Sequence, residues 1–266
     1  MNYKIGIVGN GFVGNAIYQN IKDKFDTRVY DKADSRRLDE MNEILDCDYI
    51  FVCLPTPMKE NAECDLSIIK EFFYSIPQDS QSIFIVKSTV PIGTTLGISQ
   101  DRKDLKIVHS PEFLTAKNSV IDFINPDRNI IGGPKDISRK VGYLYDLIFN
   151  RKVPTIFTTS NESETIKYFA NSFLATKVIF FNLAYELSQK MAMDYETISE
   201  GVCSDNRIGY SHSKVPGPDE EFGFGGACFP KDLNALIYTL EEKGINSGIF
   251  KEIWNHNVSI RKKRDW

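Results

Sequence analysis

The chain has 266 residues, enough for one large hydrophobic core or two modest domains. Apolar residues make up 42% and charged residues 26%, as in ordinary globular proteins, and the net charge of −4 at pH 7 gives no general attraction to nucleic acid or anionic membranes. No apolar run of about 18 residues occurs, so we expect no membrane-spanning helix, and the N-terminus enters a strand with no signal peptide before it.

Cysteines and histidines are few and scattered. No two cysteines form a CxxC pair, and no histidines have the spacing of metal ligands. We therefore expect a reducing, cytoplasmic location, no disulfide framework and no metal site. The residues concerned are Cys47, Cys53, Cys64, Cys203, Cys228, His109, His212 and His256.

Strand and helix patterns alternate along the first half of the chain. The predicted strands are 4–9, 26–32, 48–57, 82–90, a short one within 106–114, and 129–133; the predicted helices are 12–23, 36–47, 66–76 and 136–149. This alternation predicts an α/β fold of the Rossmann type, with a doubly wound parallel sheet, over residues 1–155.

The first strand leads into "GNGFVGNAI", a GxGxxG turn followed by a helix. Gly9 suits the tight turn, Gly11 lets the backbone approach a pyrophosphate, and Gly14 lets helix and strand pack closely. The ordinary alternative is a structural glycine turn. The flanking strand and helix favour dinucleotide binding.

Asp31 lies 20 residues beyond Gly11, at the end of the second strand. A carboxylate there binds the ribose hydroxyls of NAD and repels the 2′-phosphate of NADP. Three basic neighbours weaken this preference for NAD over NADP: Lys32, Arg36 and Arg37.

Two further loops follow strand ends, where ligands bind in such sheets. "LPTP" offers Thr56, and "KSTVP" offers Ser88 and Thr89. Taken alone, each is an ordinary turn.

The second half reads as helical from residue 156 onward. A long helix over about 161–191 carries apolar residues at helical spacing, and Asn161 with Glu164 resembles a capping box. Lys167 and Asn171 share one face of this helix, and their apolar surroundings favour a pocket-lining role over a solvated one. Because the helix has more apolar surface than one domain can cover, we expect a homodimer. A short helix follows, with Asp194 as its N-cap.

"FGFGGACFPKD" places Cys228 after three glycines and just before another helix. A thiol near a helix N-terminus and beside Lys231 is expected to have a lowered pKa and nucleophilic character. An inert buried thiol is the commoner case for a cysteine, and this setting favours the nucleophile.

The residues described so far resemble the UDP-glucose/GDP-mannose dehydrogenase family, in particular its UDP-glucose 6-dehydrogenases. The matching pieces lie in family order and cover nearly the whole chain. They are "GIVGNGFVG", "VCLPTP", "VKSTVPIGTT", "SPEFL", "NPDRNIIGG", "ETIKYFANSFLATK", "DNRIG" and "FGFGGACFPKD".

The resemblance implies a cytoplasmic enzyme of polysaccharide biosynthesis that oxidises the C6 alcohol of a nucleotide sugar to the carboxylate with two NAD, as in UDP-glucose to UDP-glucuronate. Cys228 would form a thiohemiacetal and then a thioester. Lys167 and Asn171 would stabilise the oxyanion, and Asp232 would position the base or water. Thr89 would orient a water, and Glu112 would assist hydrolysis.

The resemblance also implies the contacts with cofactor and substrate. Those with NAD would come from Gly9, Gly11, Phe12, Val13, Gly14, Asp31, Thr56, Thr89 and Lys231. Those with the nucleotide sugar would come from Glu112, Phe113, Leu114, Lys167, Asn171, Phe222, Gly225 and, from a neighbouring subunit, Arg207.

The chain departs from the family pattern in two places. Ala116 stands where the family usually has a second glutamate, which puts thioester hydrolysis in question. The sequence stops about where the link to the family's third, UDP-gripping domain should begin, so we expect these 266 residues to lack that domain. The chain could be naturally short, a cut piece, or adapted to a smaller substrate. Arg261–Arg264 could meet a pyrophosphate across an interface, but a solvated helix end is the simpler interpretation.

Two other functions stay open at this point. One is a two-electron hydroxyacid dehydrogenase related to 6-phosphogluconate dehydrogenase, which shares the Lys-x-x-x-Asn pair but needs no cysteine. The other is a non-catalytic NAD-binding partner subunit. We expect the NAD domain to span 1–155 and a helical central and dimerisation domain to span 156–266.

Overall fold

The computed structural model describes residues 3–59, 63–115 and 117–266. They form two compact units. One includes residues up to Pro57 and Cys64–Lys167, and the other includes Met58–Glu63 and Tyr168–Trp266. The change of unit falls inside a helix, between Lys167 and Tyr168. The domain boundary expected between residues 155 and 156 stays a prediction.

The first unit contains a seven-stranded sheet. The strands are β1 (Lys4–Val8), β2 (Asp26–Tyr30), β3 (Tyr49–Val52), β4 (Ile83–Val86), β5 (Lys106–His109), β6 (Asn129–Gly132) and β7 (Thr155–Thr158). Their order in the sheet is β2-β1-β3-β4-β5-β6-β7. Neighbours among β1 to β5 pair in parallel. The Rossmann-type prediction is confirmed.

The sheet is not parallel throughout, which corrects the prediction. β6 pairs antiparallel to β5 through His109 and Gly132, and β7 then runs parallel to β6. The last two strands are therefore reversed with respect to the first five. The edge strand β7 was not predicted from its sequence.

Helices cover both faces of the sheet. They are α1 (Phe12–Ile21), α2 (Met41–Leu45), α3 (Ser67–Ser75), α4 (Thr94–Asp101), α5 (Ser119–Ile124) and α6 (Lys135–Phe149). Two separate clusters of buried apolar side chains lie on the two faces, one including Ile7 and Leu144 and the other including Val8 and Phe73. Alternate residues of a strand point to opposite faces, so Ile7 and Val8 serve different cores.

Several predicted boundaries differ from the structure. The helix predicted over 36–47 is shorter, because a 3₁₀ turn occupies Asp34–Arg36 and α2 begins only after Glu40, whose N–H donates to the Glu43 carboxylate. α4 and α5 were not predicted. α4 has little amphipathic pattern of its own, and its N-terminus is capped by a residue distant in sequence, as described below.

The long helix α7 runs over Ser160–Lys190, close to its predicted bounds. The predicted capping box of Asn161 and Glu164 is wrong. Thr159 and Glu162 form it instead: the Thr159 N–H donates to the Glu162 carboxylate at 2.9 Å, and the Glu162 N–H donates to the Thr159 hydroxyl at 3.3 Å.

The second unit continues with α8 (Tyr195–Cys203), α9 (Phe229–Glu242) and α10 (Gly248–Ile260). The predicted N-cap of α8 is confirmed, since the Asp194 carboxylate accepts from the Thr197 N–H at 2.9 Å. Within the described residues, no helix combines the length and the apolar character needed to cross a bilayer.

Candidate functional site

The turn after β1 has the geometry that its glycines predict. Gly9 has φ +93, a left-handed conformation that disfavours other residues. A Cβ on Gly14 would lie 1.9 Å from the Gly9 carbonyl oxygen, whereas a Cβ on Gly11 would have no atom within 4 Å. Gly14 is therefore required by packing. Gly11 borders open space at the N-terminus of α1, where a pyrophosphate is favoured by the helix dipole. Phe12 and Val13 follow in the first turn of α1.

Asp31 is buried at the end of β2, and its carboxylate is held by three donors. The Asn10 N–H donates at 2.7 Å, the Ala33 N–H at 2.8 Å and the Arg36 guanidinium at 3.1 Å. Burial acts to raise the pKa of Asp31, but these hydrogen bonds and the charge of Arg36 hold it below its usual value. Asp31 is thus an anion joined to the glycine turn. Arg36, which sequence reasoning treated only as a complication, is its partner.

The "LPTP" and "KSTVP" loops are bonded to each other. The Thr56 hydroxyl donates to the Thr89 carbonyl at 2.7 Å, and the Ser88 hydroxyl donates to the Leu54 carbonyl at 2.7 Å. The Thr56 hydroxyl, predicted to contact NAD, serves to join the two loops.

Lys167 and Glu112 form a buried ion pair in the first unit. The Lys167 ammonium donates to the Glu112 carboxylate at 2.8 Å and to the Glu112 carbonyl at 2.6 Å. Burial acts to raise the pKa of Glu112, but the charge of Lys167 and hydrogen bonds from Lys167 and the Leu114 N–H hold it below its ordinary value. The structure therefore pairs two side chains to which the family resemblance gave separate roles, Lys167 at the oxyanion and Glu112 in hydrolysis.

Two cations lie near the Phe113 ring, with Arg128 at 4.6 Å and Lys167 at 5.2 Å from its centroid. The loop that carries Phe113 and Leu114 also borders a cavity of about 210 Å³, together with Lys87 and Tyr145. Ala116, the departure from the family pattern in this loop, lies outside the described residues.

The first turns of α7 contact other parts of this unit through Glu164 and Ser163. The Glu164 carboxylate accepts from the Gly93 N–H at 2.6 Å and the Thr95 N–H at 2.8 Å, and so caps α4. Its burial raises the pKa of Glu164 to about 6. The Ser163 hydroxyl lies 2.8 Å from His109 Nδ1, and burial lowers the pKa of His109 to about 3, so this imidazole is neutral.

In the second unit, Cys228 is the N-cap residue of α9 and is half-buried. One turn later, the fully buried Asp232 donates its N–H to the Cys228 carbonyl at 2.9 Å. The Asp232 carboxylate accepts from the Asn171 amide at 2.6 Å and from the Lys231 ammonium. Four of the predicted residues are thus linked at the start of one helix.

Three residues that the family resemblance implies as substrate contacts lie beside other side chains of this unit: Arg207, Gly225 and Phe222. The Arg207 side chain is 89% exposed and pairs with Asp205 at 2.6 Å. Gly225 lies against Arg261, since a Cβ on it would be 2.1 Å from that guanidinium. The half-buried Phe222 packs on Tyr185, with ring centroids 5.5 Å apart.

The interpretation of Arg261–Arg264 as a solvated helix end is wrong at its first residue. α10 ends at Ile260, and Arg261 is 4% exposed because its guanidinium donates to Asp219 at 2.6 Å. The remaining three basic residues are exposed. Across residues 3–59, 63–115 and 117–266, no group of three or more His, Cys, Asp or Glu side chains is arranged to hold a metal ion.

The sheet, the glycine turn and the buried Asp31 define a dinucleotide-binding protein of the Rossmann class. The sequence profiles of the UDP-glucose/GDP-mannose dehydrogenase family match its NAD binding domain to residues 21–148 and its central domain to residues 161–259. The chain belongs to this family, and its cofactor is NAD. The family expected from the sequence motifs is confirmed.

Individual relatives agree with this placement. The UDP-glucose 6-dehydrogenase of Rickettsia bellii is 33% identical over 252 residues, which are 91% of this chain and 56% of that protein. The chain spans about half the length of the curated UDP-glucose 6-dehydrogenases that it matches.

Among solved structures, a UDP-glucose dehydrogenase from Pyrobaculum islandicum superposes with a TM-score of 0.82 at 25% identity, covering 97% of this chain and 68% of that one. A 3-hydroxyisobutyrate dehydrogenase from Mycobacterium tuberculosis superposes with a TM-score of 0.76 at 15% identity, covering 97% and 94%. The second likeness concerns the fold alone, so the fold does not separate the two classes of dehydrogenase.

Proposed function

We propose that the chain catalyses the NAD-dependent, four-electron oxidation of the C6 alcohol of a nucleotide sugar, with UDP-glucose as the substrate and UDP-glucuronate as the product. The proposal depends chiefly on Cys228, at the N-cap of α9 beside the Asn171–Asp232 pair. A two-electron dehydrogenase of the same fold needs no thiol at this position.

The residues present fit NAD. Open space at Gly11 leaves room for the pyrophosphate, and the Asp31 carboxylate suits the ribose hydroxyls. Bound NAD supplies the hydride acceptor for both oxidation steps. Because Arg36 already pairs with Asp31, its charge is directed to that carboxylate, which supports NAD over NADP.

Residues of the chain then form the covalent bond to C6 and direct the proton transfers. In the first oxidation the C6 alcohol would lose a hydride and its hydroxyl proton to become the aldehyde. The Cys228 thiolate would add to this aldehyde, whose oxygen takes up a proton, to give a thiohemiacetal. In the second oxidation the thiohemiacetal would lose a hydride and its hydroxyl proton to leave a thioester. Water hydrolyses the thioester, releasing the carboxylate and returning the thiol. Lys167 and Asn171 stabilise the oxyanions of these steps, and Asp232 positions the attacking water or the proton acceptor. Thr89 orients a water, and Glu112 holds the Lys167 ammonium and assists hydrolysis.

For substrate binding, we propose that the nucleotide sugar contacts Phe113, Leu114, Phe222 and Gly225. We propose that it also contacts Arg207 of a neighbouring subunit. The exposure of Arg207 is consistent with that role. We also propose a homodimer formed through α7 and a cytoplasmic location.

The test is the yield of NADH per sugar with limiting UDP-glucose and excess NAD. Two NADH per sugar are expected from the natural sequence, and Cys228→Ser should abolish the second oxidation. Cys203→Ala, which removes a buried thiol of the same unit, should leave the yield at two. One NADH per sugar from the natural sequence itself, unchanged in Cys228→Ser, would favour the two-electron class, and no NADH with UDP-glucose, GDP-mannose or UDP-N-acetylmannosamine would favour a binding subunit.

A further inference from the structure

The loop that leads to Cys228 is clamped by a single side chain of the C-terminal helix. We call Gly223–Gly226 the glycine loop. Asn257 of α10 is fully buried; its amide oxygen accepts from the Phe224 N–H at 2.7 Å, and its amide NH₂ donates to the Phe224 carbonyl at 3.0 Å. One amide side chain thus satisfies both backbone groups of one loop residue, as a neighbouring strand would.

The start of the glycine loop packs directly against the Asn257 side chain. Gly223 has φ +68, and a Cβ on it would lie 2.3 Å from the Asn257 amide oxygen. Its N–H donates to the amide oxygen of Asn182 on α7 at 3.1 Å. A residue other than glycine would be strained in this conformation and would also displace the clamp.

The end of the glycine loop is held by residues just beyond α10. The Gly226 N–H donates to the Asp265 carboxylate at 2.9 Å. Arg261 lies under Gly225 and is fixed in turn by its ion pair with Asp219. The Gly226 contact lies two residues before Cys228, so the loop has few free dihedral angles between its anchors and the thiol.

We propose that Asn257 is a positioning residue for Cys228: through Phe224 it holds the glycine loop in the one conformation that presents the thiol at the N-cap of α9. This inference rests on the proposed function, in which Cys228 is the nucleophile. A covalent step depends steeply on placement, since a displacement of about 1 Å can cost a hundredfold in rate. Asn257 is not among the residues proposed above to touch substrate or cofactor.

The test compares Asn257→Ala with Asn255→Ala, which removes an exposed asparagine from the same helix. In Asn257→Ala we expect amide hydrogen exchange in the Phe222–Cys228 segment to rise about tenfold, with exchange in α7 and α8 unchanged. We also expect kcat for NADH formation to fall about tenfold with little change in KM for NAD, because all the NAD contacts named above except Lys231 belong to the other unit. Asn255→Ala should match the natural sequence in both measurements.

A second pair of variants keeps the test decisive if Asn257→Ala fails to fold. Asp265 is exposed, so Asp265→Ala removes the acceptor for the Gly226 N–H without opening the core, and Asp265→Asn retains an acceptor oxygen. Exchange at the glycine loop and kcat should change in Asp265→Ala and return toward normal in Asp265→Asn. Unchanged exchange at the glycine loop in folded Asn257→Ala, or in Asp265→Ala, would overturn the inference. Hydrogen exchange needs no turnover, so it gives this answer even if the proposed reaction is wrong.

Discussion

The Lys167 ammonium lies 2.8 Å from the Glu112 carboxylate, and both side chains are more than nine-tenths buried. The same ammonium donates to the Glu112 backbone carbonyl. One lysine of α7 therefore helps to lower the pKa of the glutamate and also binds the backbone of the loop that carries it. An ion pair this buried is expensive to break, because the remaining partner keeps its charge without compensation.

Glu112→Gln should reduce the free energy of unfolding by about 3 kcal/mol, because it leaves the Lys167 charge buried and unpaired. Urea denaturation at pH 7 measures this. Since the folded-state pKa of Glu112 is lowered, its stabilisation is complete above the ordinary glutamate pKa and is lost as the pH falls through the lower folded-state value. Glu186→Gln, which breaks the exposed pair with Lys190, should leave stability unchanged. Equal effects of the two variants would show that the buried pair is not strongly coupled.

Glu164 should make stability depend on pH in the opposite direction. Burial raises its folded-state pKa from 4.5 to about 6, so its contribution is complete below pH 4.5 and is lost as the pH rises through 6. The loss amounts to about 2 kcal/mol and should be absent in Glu164→Gln. The readout is the difference in unfolding free energy between natural sequence and variant at pH 4.5 and pH 7.

Glu162 provides the contrast on the same helix. Hydrogen bonds from Thr158 and Thr159 lower the pKa of Glu162 to about 2, so its stabilisation is lost only as the pH falls toward that value. The free energy of unfolding should therefore change between pH 4.5 and pH 7 by the same amount in Glu162→Gln as in the natural sequence. If Glu164→Gln behaved in the same way, the assignment of a raised pKa to Glu164 would be refuted.

The second and third glycines of the GxGxxG turn, Gly11 and Gly14, should respond differently to substitution by alanine. Gly14→Ala places a methyl group against the Gly9 carbonyl oxygen and should cost about 3 kcal/mol of folding free energy. Gly11→Ala meets no protein atom, so stability should be unchanged while the Kd for NAD rises about tenfold, because the methyl group occupies the approach of the pyrophosphate. Urea denaturation and calorimetric titration with NAD separate the two effects. Unaltered NAD affinity in Gly11→Ala would place the pyrophosphate elsewhere.

The exposed apolar face of α7 should be a dimer interface. Its members lie at helical spacing and are 46% to 67% exposed: Phe169, Phe173, Phe180, Leu183, Leu187 and Met191. Phe173→Glu and Phe180→Glu should convert the homodimer to monomer in light scattering with size-exclusion chromatography, because a charge is costly in an apolar interface. Ile249→Glu on α10, 68% exposed, should leave the dimer intact. A monomeric natural sequence would contradict the expectation directly.

Local patterns in the sequence were sufficient for most elements of the fold. The apolar strands, the amphipathic helices and the GxGxxG turn depend on the period of the chain and on glycine stereochemistry, which act over a few residues. α4 was missed because its N-terminus is capped by Glu164, about seventy residues away in sequence. β6 was predicted as a strand, but its reversed direction was missed because strand direction is set by tertiary connections, which periodicity does not encode.

The sequence by itself determined the family and the cofactor, because the GxGxxG turn, the acidic residue after the second strand and the family motifs depend only on the order of the residues. The chemistry at Cys228 stays a prediction. Only the tertiary structure decided which side chains are partners: Glu112 with Lys167, Asp232 with Asn171, Asp31 with Arg36. It also showed that Asn257 clamps the glycine loop. These pairings join residues up to about sixty positions apart, and their charge states follow from burial and distance, which exist only once the chain is folded.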